Sequence, residues 1–284
     1  MTRRRSAALA VPSAVALAVG LSAGRAAEVE PSATPWQSSV AETGPTTPVA
    51  PTLAEWVPDV DSAKGYALTR QGRVRFAVYD ETTGRRWGFR ETEQVHCASL
   101  LKTLLMATYL RQSSVRDRAL TEKDRGLLRP MIRESANAPA STLVVRLGSD
   151  AIARTAKAAG MGAVRVTPHW GQTATSARQQ IALYTSLPRL VPGRHREYAM
   201  KLLGTIVPAQ RWGVAQVDVP DGWSLAFKGG WGSGSGAVDH QSALLTSGDR
   251  RVVLSITTTT NPSHKVGKAT LKGVATRLLR DLPN

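Results

Sequence analysis

Cys97-Ala98-Ser99-Leu100-Leu101-Lys102-Thr103-Leu104-Leu105-Met106-Ala107-Thr108-Tyr109-Leu110 is the stretch from which the fold can be built outward. Its apolar residues are too dense for a surface helix, so a core helix from Ser99 to Leu110 is expected. Ser99 and Lys102 lie three apart, and residues at that spacing share a helix face. An amine is thereby placed beside a hydroxyl under apolar cover. A serine alcohol is a poor nucleophile until a base takes its proton, and burial lowers the proton affinity of a lysine. The start of the helix adds backbone N–H groups and a positive dipole end that favour developing negative charge. Taken alone, the pair has a second explanation, because Ser is also a common helix N-cap.

Toward the N-terminus, Val74-Arg75-Phe76-Ala77-Val78-Tyr79 alternates and is β-branched. Thr83-Gly84 then turns the chain before Trp87-Gly88-Phe89, which makes a hairpin. Toward the C-terminus, Thr121 with Asp124 reads as a capped helix start, and Gly126 and Pro130 weaken the helix behind it. Helices are expected over 139–147, 150–159, 176–187 and 194–205, with Gly148 and Gly160 as stops. Strands return at 225–228, 242–246 and 252–258, the last two joined through Ser247-Gly248-Asp249-Arg250. A final helix spans about His264 to Leu279. Two strands, a helical block, three strands and a helix predict a mixed α/β (α+β) domain. Its antiparallel sheet is drawn from both chain ends and flanked by helices.

The chain has 284 residues, 42% hydrophobic and 20% charged, enough for a real core and against wholesale disorder. One cysteine excludes a disulfide framework, and the five histidines never fall at ligand spacing, so neither metal nor cofactor is expected. Arg3, Arg4 and Arg5, the apolar run Ala7 to Gly20, and Gly24-Arg25-Ala26 read as an export signal over 1–26. An uncleaved anchor is the alternative. Residues 27–52, rich in Pro, Ser, Thr and Ala, read as a disordered linker, which leaves 53–284 as the folded domain. The expected location is secreted and wall-associated, with no membrane span after cleavage and a monomeric state. The net charge of +16 suits anionic cell-wall polymers. The basic residues are scattered without interleaved aromatics, which argues against nucleic acid.

Two further segments carry chemistry. Ser135-Ala136-Asn137 lies between expected helices, and Lys228-Gly229-Gly230-Trp231 closes an expected strand. With Ser99-x-x-Lys102 they resemble, in order and context, the three motifs of the penicillin-recognising serine hydrolases: class A β-lactamases and related penicillin-binding proteins. The likeness is greatest to exported actinobacterial serine hydrolases related to class A enzymes, and it covers about residues 65 to 284. The resemblance implies a five-stranded antiparallel sheet with a helical subdomain. It further implies Ser99 as the acylated nucleophile, Lys102 as its base and Ser135 as a proton relay. Asn137 would bind the substrate amide, and Lys228 would supply positive potential. The oxyanion would be held by the N–H groups of Ser99 and Trp231, with Gly230 beside them. The implied substrate is a β-lactam or a related peptidoglycan-like amide or ester. A D-Ala-D-Ala peptidase, an esterase and a non-catalytic wall-binding protein are the other readings.

Three departures stand out. Ala136 replaces the usual Asp, and Gly229 replaces a Thr whose hydroxyl would contact a substrate carboxylate. Between Ala151 and Arg196 there is no Asp or Glu to activate a deacylating water. His169, in Val166-Thr167-Pro168-His169-Trp170-Gly171-Gln172, is the candidate substitute base, and a slow deacylation is expected. His240 is a candidate for reaching a substrate carboxylate, and Trp170, Trp212 and Trp231 are candidate cleft walls. Cys97 is expected to be packed and without a redox partner. Gly232-Ser233-Gly234-Ser235-Gly236 reads as a rim loop rather than a phosphate cradle. In the non-catalytic reading, Lys102 pairs with a carboxylate such as Glu134.

Overall fold

Strands β6 (Val238–Ser247) and β7 (Arg250–Thr259) are buried along almost their whole length, which makes them the middle of a sheet covered on both faces. The sheet belongs to a computed structural model that describes residues 55–232 and 237–283. The expected export signal, the linker and the rim-loop residues Ser233–Gly236 lie outside the described residues. Five strands run in the order β2 (Arg85–Phe89), β1 (Arg73–Asp80), β7, β6, β5 (Ser224–Gly232), and every neighbouring pair is antiparallel. The two sheet-forming blocks of the chain therefore meet where β1 pairs with β7, as the element order predicts.

α1 (Val60–Leu68) and α8 (His264–Leu278) pack together on one face of the sheet. α6 (Ala177–Leu190) packs against β1, β6 and β7, and α2 (Leu101–Leu110) lies beside it. Every residue of α2 is buried, as the unbroken apolar run requires. The short α3 (Ser113–Arg116), α4 (Glu122–Arg133) and α7 (Gly193–Gly204) complete the helical subdomain with α5 (Asn137–Ala158). Thr121 and Asp124 cap α4 reciprocally, and Ser176 and Gln179 do the same for α6. Gly148 interrupts α5 with φ 73°, ψ 157°, where the sequence predicts a stop between two helices. The structure adds α1, α3 and a two-stranded ribbon of β3 (Val95–His96) with β4 (Ala174–Thr175), none of which has a sequence signal. Among the described residues no helix is long and apolar enough to cross a membrane.

Candidate active site

Ser99 lies in a 3-10 turn, Ala98–Leu100, that leads into α2. Its hydroxyl caps no helix; it accepts a hydrogen bond from Lys102 Nζ at 2.9 Å. The N-cap explanation is thereby overturned. The same amine donates to the Ser135 carbonyl at 2.5 Å and to Asn137 Oδ1 at 2.8 Å, and it reaches Ser135 Oγ at 3.2 Å. All of these partners are neutral. Glu134 is exposed, while Lys102 is fully buried and spends its hydrogen bonds on those neutral oxygens. The alternative of a carboxylate-paired lysine is overturned with it. Burial brings the Lys102 amine down to about 7.

Ser135 sits between α4 and α5, and its Oγ has a second amine beside it. Lys228 Nζ, fully buried on β5, donates to Ser135 Oγ at 2.9 Å and to the Gly229 carbonyl at 2.8 Å. Burial, with Lys102 as a nearby cation, lowers the Lys228 pKa well below the usual lysine range. Ser135 Oγ thus bridges two lysines whose ammonium forms are disfavoured. Ser135 has φ 57° and Ala98, just before Ser99, has φ 45°. Non-glycine residues hold such angles at about 1–3 kcal/mol each, and the surrounding structure must enforce them.

Strand β5 comes close to Ser99, and Gly230 is the point of approach. A Cβ added there would stand 2.9 Å from the Ser99 nitrogen and 3.2 Å from the Cys97 carbonyl oxygen. Only glycine lets the strand lie against the turn. Gly229 is constrained from the opposite side, where an added Cβ would stand 3.2 Å and 3.3 Å from two atoms of the Trp212 ring. A side chain at this position would therefore press on the Trp212 ring. Trp212 is held in place by Gln241, which donates to its carbonyl at 2.7 Å and accepts from the Val214 N–H at 2.7 Å. Trp231 stacks on His264 at 5.9 Å, with Trp212 edge-on to both. Trp231 is 36% exposed and Trp212 is buried, so only Trp231 of this pair presents a surface.

One sequence expectation does not hold. His240 is fully buried, its Nδ1 accepts from the Thr258 N–H at 3.1 Å, and its Nε2 meets the His96 carbonyl at 2.9 Å. Both ring nitrogens are used by backbone, so the ring cannot reach a substrate carboxylate; burial also lowers its pKa to about 4. It instead ties β6 to the strand that delivers Ser99. His169 is exposed, and the hydrogen bonds of Ser99 and Lys102 go to other residues. The loop presents the next residue: the Trp170 ring lies 5.1 Å from Lys102 Nζ, with its Nε1 donating to Ser141 Oγ at 3.0 Å. Cys97 is buried with its thiol pushed up to about 12 by desolvation, so it packs as an inert thiol. Ala98, Gln241 and the contact of His240 with His96 have no sequence signal. Their importance lies in backbone angles and backbone acceptors.

Among the described residues no cluster of His, Cys, Asp or Glu could hold a metal ion. The profile of the Beta-lactamase enzyme family matches residues 123–282, more than half of the chain, including Ser135, Asn137 and Lys228. Among solved structures, a β-lactamase from Sphaerobacter thermophilus superposes with a TM-score of 0.67 at 16% identity. The match covers 81% of this chain and all of that one. A class A β-lactamase from Mycobacterium abscessus gives 0.67 at 20% identity, covering 78% of this chain and 98% of its own. An ancestral Gram-negative class A β-lactamase gives 0.67 at 19%, covering 79% and 100%. No curated protein matches the chain. At these identities the structural likeness speaks for the fold and the family profile for descent: the chain has the fold of class A β-lactamases and belongs to the β-lactamase enzyme family.

Proposed function

We propose that this protein is an exported serine hydrolase that forms an acyl-enzyme on Ser99 with β-lactams or related amides and esters. The observation that carries the reading is the Lys102 amine, buried without a carboxylate, 2.9 Å from Ser99 Oγ and drawn down to about 7. Near neutral pH much of it is the free amine, able to accept a proton. Ser99 Oγ attacks the substrate carbonyl and its proton passes to Lys102 Nζ. The resulting oxyanion is held by the N–H groups of Ser99 and Trp231, brought near each other by Gly230. The carbon–nitrogen bond then breaks, and Ser135, relaying a proton between the two amines, protonates the leaving nitrogen. Asn137 orients Lys102 and the substrate amide, and Lys228 holds the Ser135 hydroxyl.

The second half of the cycle has no comparable equipment among the described residues. Hydrolysis of the ester on Ser99 needs a base beside a water, and the loop places the Trp170 indole near Lys102 instead. The acyl-enzyme is therefore long-lived, as in a penicillin-binding protein. Intact-protein mass spectrometry after incubation with a penicillin tests the reading. The expected result is a persistent adduct of one penicillin mass, lost in Ser99→Ala. A wild type that gains no mass with any β-lactam or activated ester would sink the proposal.

A further inference from the structure

Away from Ser99, a depression of about 680 Å³ opens between the β1–β2 hairpin, the end of α5 and one side of α6. None of Ser99, Lys102, Ser135, Asn137 or Lys228 lines it. Its walls carry Arg86 from β2, Arg111 from the end of α2, and Arg178 and Arg189 from α6; no Asp or Glu is among the lining residues. The carboxylates that serve this face lie deeper. Glu91 is shared by Arg178, whose Nε donates at 3.1 Å, and by Arg86 at 3.6 Å. Glu81 is shared by Arg251 at 3.0 Å and Arg189 at 4.0 Å. Arg111 spends one N–H on the Leu190 carbonyl at 2.9 Å and pairs with no carboxylate among the described residues. Four lining guanidiniums against two carboxylates, one of which also serves Arg251 outside the lining, leave an excess of positive charge around one concavity. The Thr185 hydroxyl lines the same wall, buried and without a partner among the described residues.

Cations gathered beyond the number of their acids repel one another, and an internal ion-pair network does not require that excess. Guanidinium forks match phosphate oxygens in geometry as well as charge. The charges are also spread out: at 1.5 Å per residue, Arg178 and Arg189 stand about 16 Å apart along α6. One phosphate cannot meet them both, whereas a chain of phosphates can. Tyr79 is the one aromatic residue in the lining, too little to stack successive bases of a nucleic acid. We propose that this arginine-lined depression is a binding site for an extended polyol-phosphate polymer, which holds the enzyme on anionic wall material independently of catalysis.

The test is titration of the whole protein with a poly(glycerol phosphate) chain of about six repeats, with inorganic phosphate and an oligothymidylate of equal charge as separate arms. Binding should be tight for the polymer and at least tenfold weaker for the other two. Each arginine in a charge-assisted contact contributes about tenfold. Arg178→Gln with Arg189→Gln should thus lose about a hundredfold and flatten the salt dependence. Lys123→Gln with Arg129→Gln, which removes the same charge from the exposed side of α4, should lose far less. Arg189 has a side chain 75% exposed, so Arg189→Gln alone reports without threatening the fold. Ser99→Ala should bind the polymer as the wild type does, which separates this site from the hydrolase reading. Equal loss in the two double variants, no loss in the first, or oligothymidylate binding as tight as polymer binding would each overturn the proposal.

Discussion

The two flanks of Lys102 are built differently. On one, Ser99, Ser135 and Asn137 offer four oxygens within hydrogen-bonding range of a single amine, and Lys228 closes the array through Ser135. On the other, the loop from Thr167 to Thr173 sets the Trp170 ring against the same nitrogen and leaves His169 exposed. The first flank can take and pass protons. The second offers a π-face, which stabilises a cation and moves no proton. The contrast separates the two chemical steps that a serine hydrolase must perform in sequence. In the proposed reading the array serves formation of the ester on Ser99, and nothing of matching quality among the described residues serves its removal.

Removing the amine should break the first flank outright. With Lys102→Ala, acylation by a reporter β-lactam or activated ester should fall by about 10³ or more, the upper part of the range for a positioned general base. The circular dichroism spectrum should be unchanged. An acylation rate within a few-fold of wild type would mean that Ser99 takes its base from elsewhere.

The pH profile sharpens the same point. Only the neutral amine can accept the Ser99 proton, so acylation should rise with pH and level off above about 7, where Lys102 titrates. Well below that value a single-proton dependence gives about tenfold per pH unit, and between pH 5 and pH 7 about fiftyfold, since half of the amine is still protonated at the upper end. His240 does not contribute to the curve, since its pKa is lowered to about 4 in a buried site with both nitrogens engaged. A profile that is flat through neutrality would remove Lys102 from the role of base. The same depression has a stability consequence of known sign. Between about 7 and the usual lysine value the unfolded chain binds a proton that the folded chain does not, so stability conferred through this group rises with pH.

The second flank can be changed rather than removed. Trp170→Glu places a carboxylate where the indole meets Lys102, and it should shorten the acyl-enzyme lifetime by about tenfold, less than the usual hundredfold or more because the base is not evolved in position. Pulse-chase mass spectrometry reads that lifetime directly. An unchanged lifetime would show that deacylation is limited by something other than the missing carboxylate.

The range of each interaction decides how much of the fold and the site is legible in the sequence. Ser99-x-x-Lys102 is local, and the helix period alone brings its members together. Ser135, Asn137 and Lys228 need their order along the chain and the family likeness, and the fold then joins them to Lys102. His240 misleads because its partner is the His96 carbonyl, 144 residues away, and a backbone acceptor leaves no mark on residue type. The β3–β4 ribbon is invisible for a related reason: strands of two residues have no period to detect. The four arginines of the remote depression come from β2, α2 and α6, so each reads singly as a solvated charge until the fold collects them. Gly229 is the instructive intermediate case. Its departure from the family pattern is plain in the sequence, while the ring that crowds it, Trp212, emerges only in three dimensions.

That crowding yields the smallest and most local test. Gly229→Thr restores the family residue, but its Cβ would enter the space within 3.2–3.3 Å of the Trp212 ring. The ring cannot recede freely, because Gln241 holds the Trp212 backbone and the Trp231 and His264 rings pack perpendicular to it. Overpacking at a site this constrained costs about 1–3 kcal/mol, which a thermal melt of the purified protein resolves. Trp212→Leu makes room and should by itself cost stability as a large-to-small change. The informative quantity is the coupling between the two. If Trp212 is what excludes threonine, the pair should be less destabilised than the sum of the single variants by about 0.5–3 kcal/mol. Additive losses would show that glycine at 229 answers to some other constraint along β5, and the aromatic corner would no longer explain why the hydroxyl is missing.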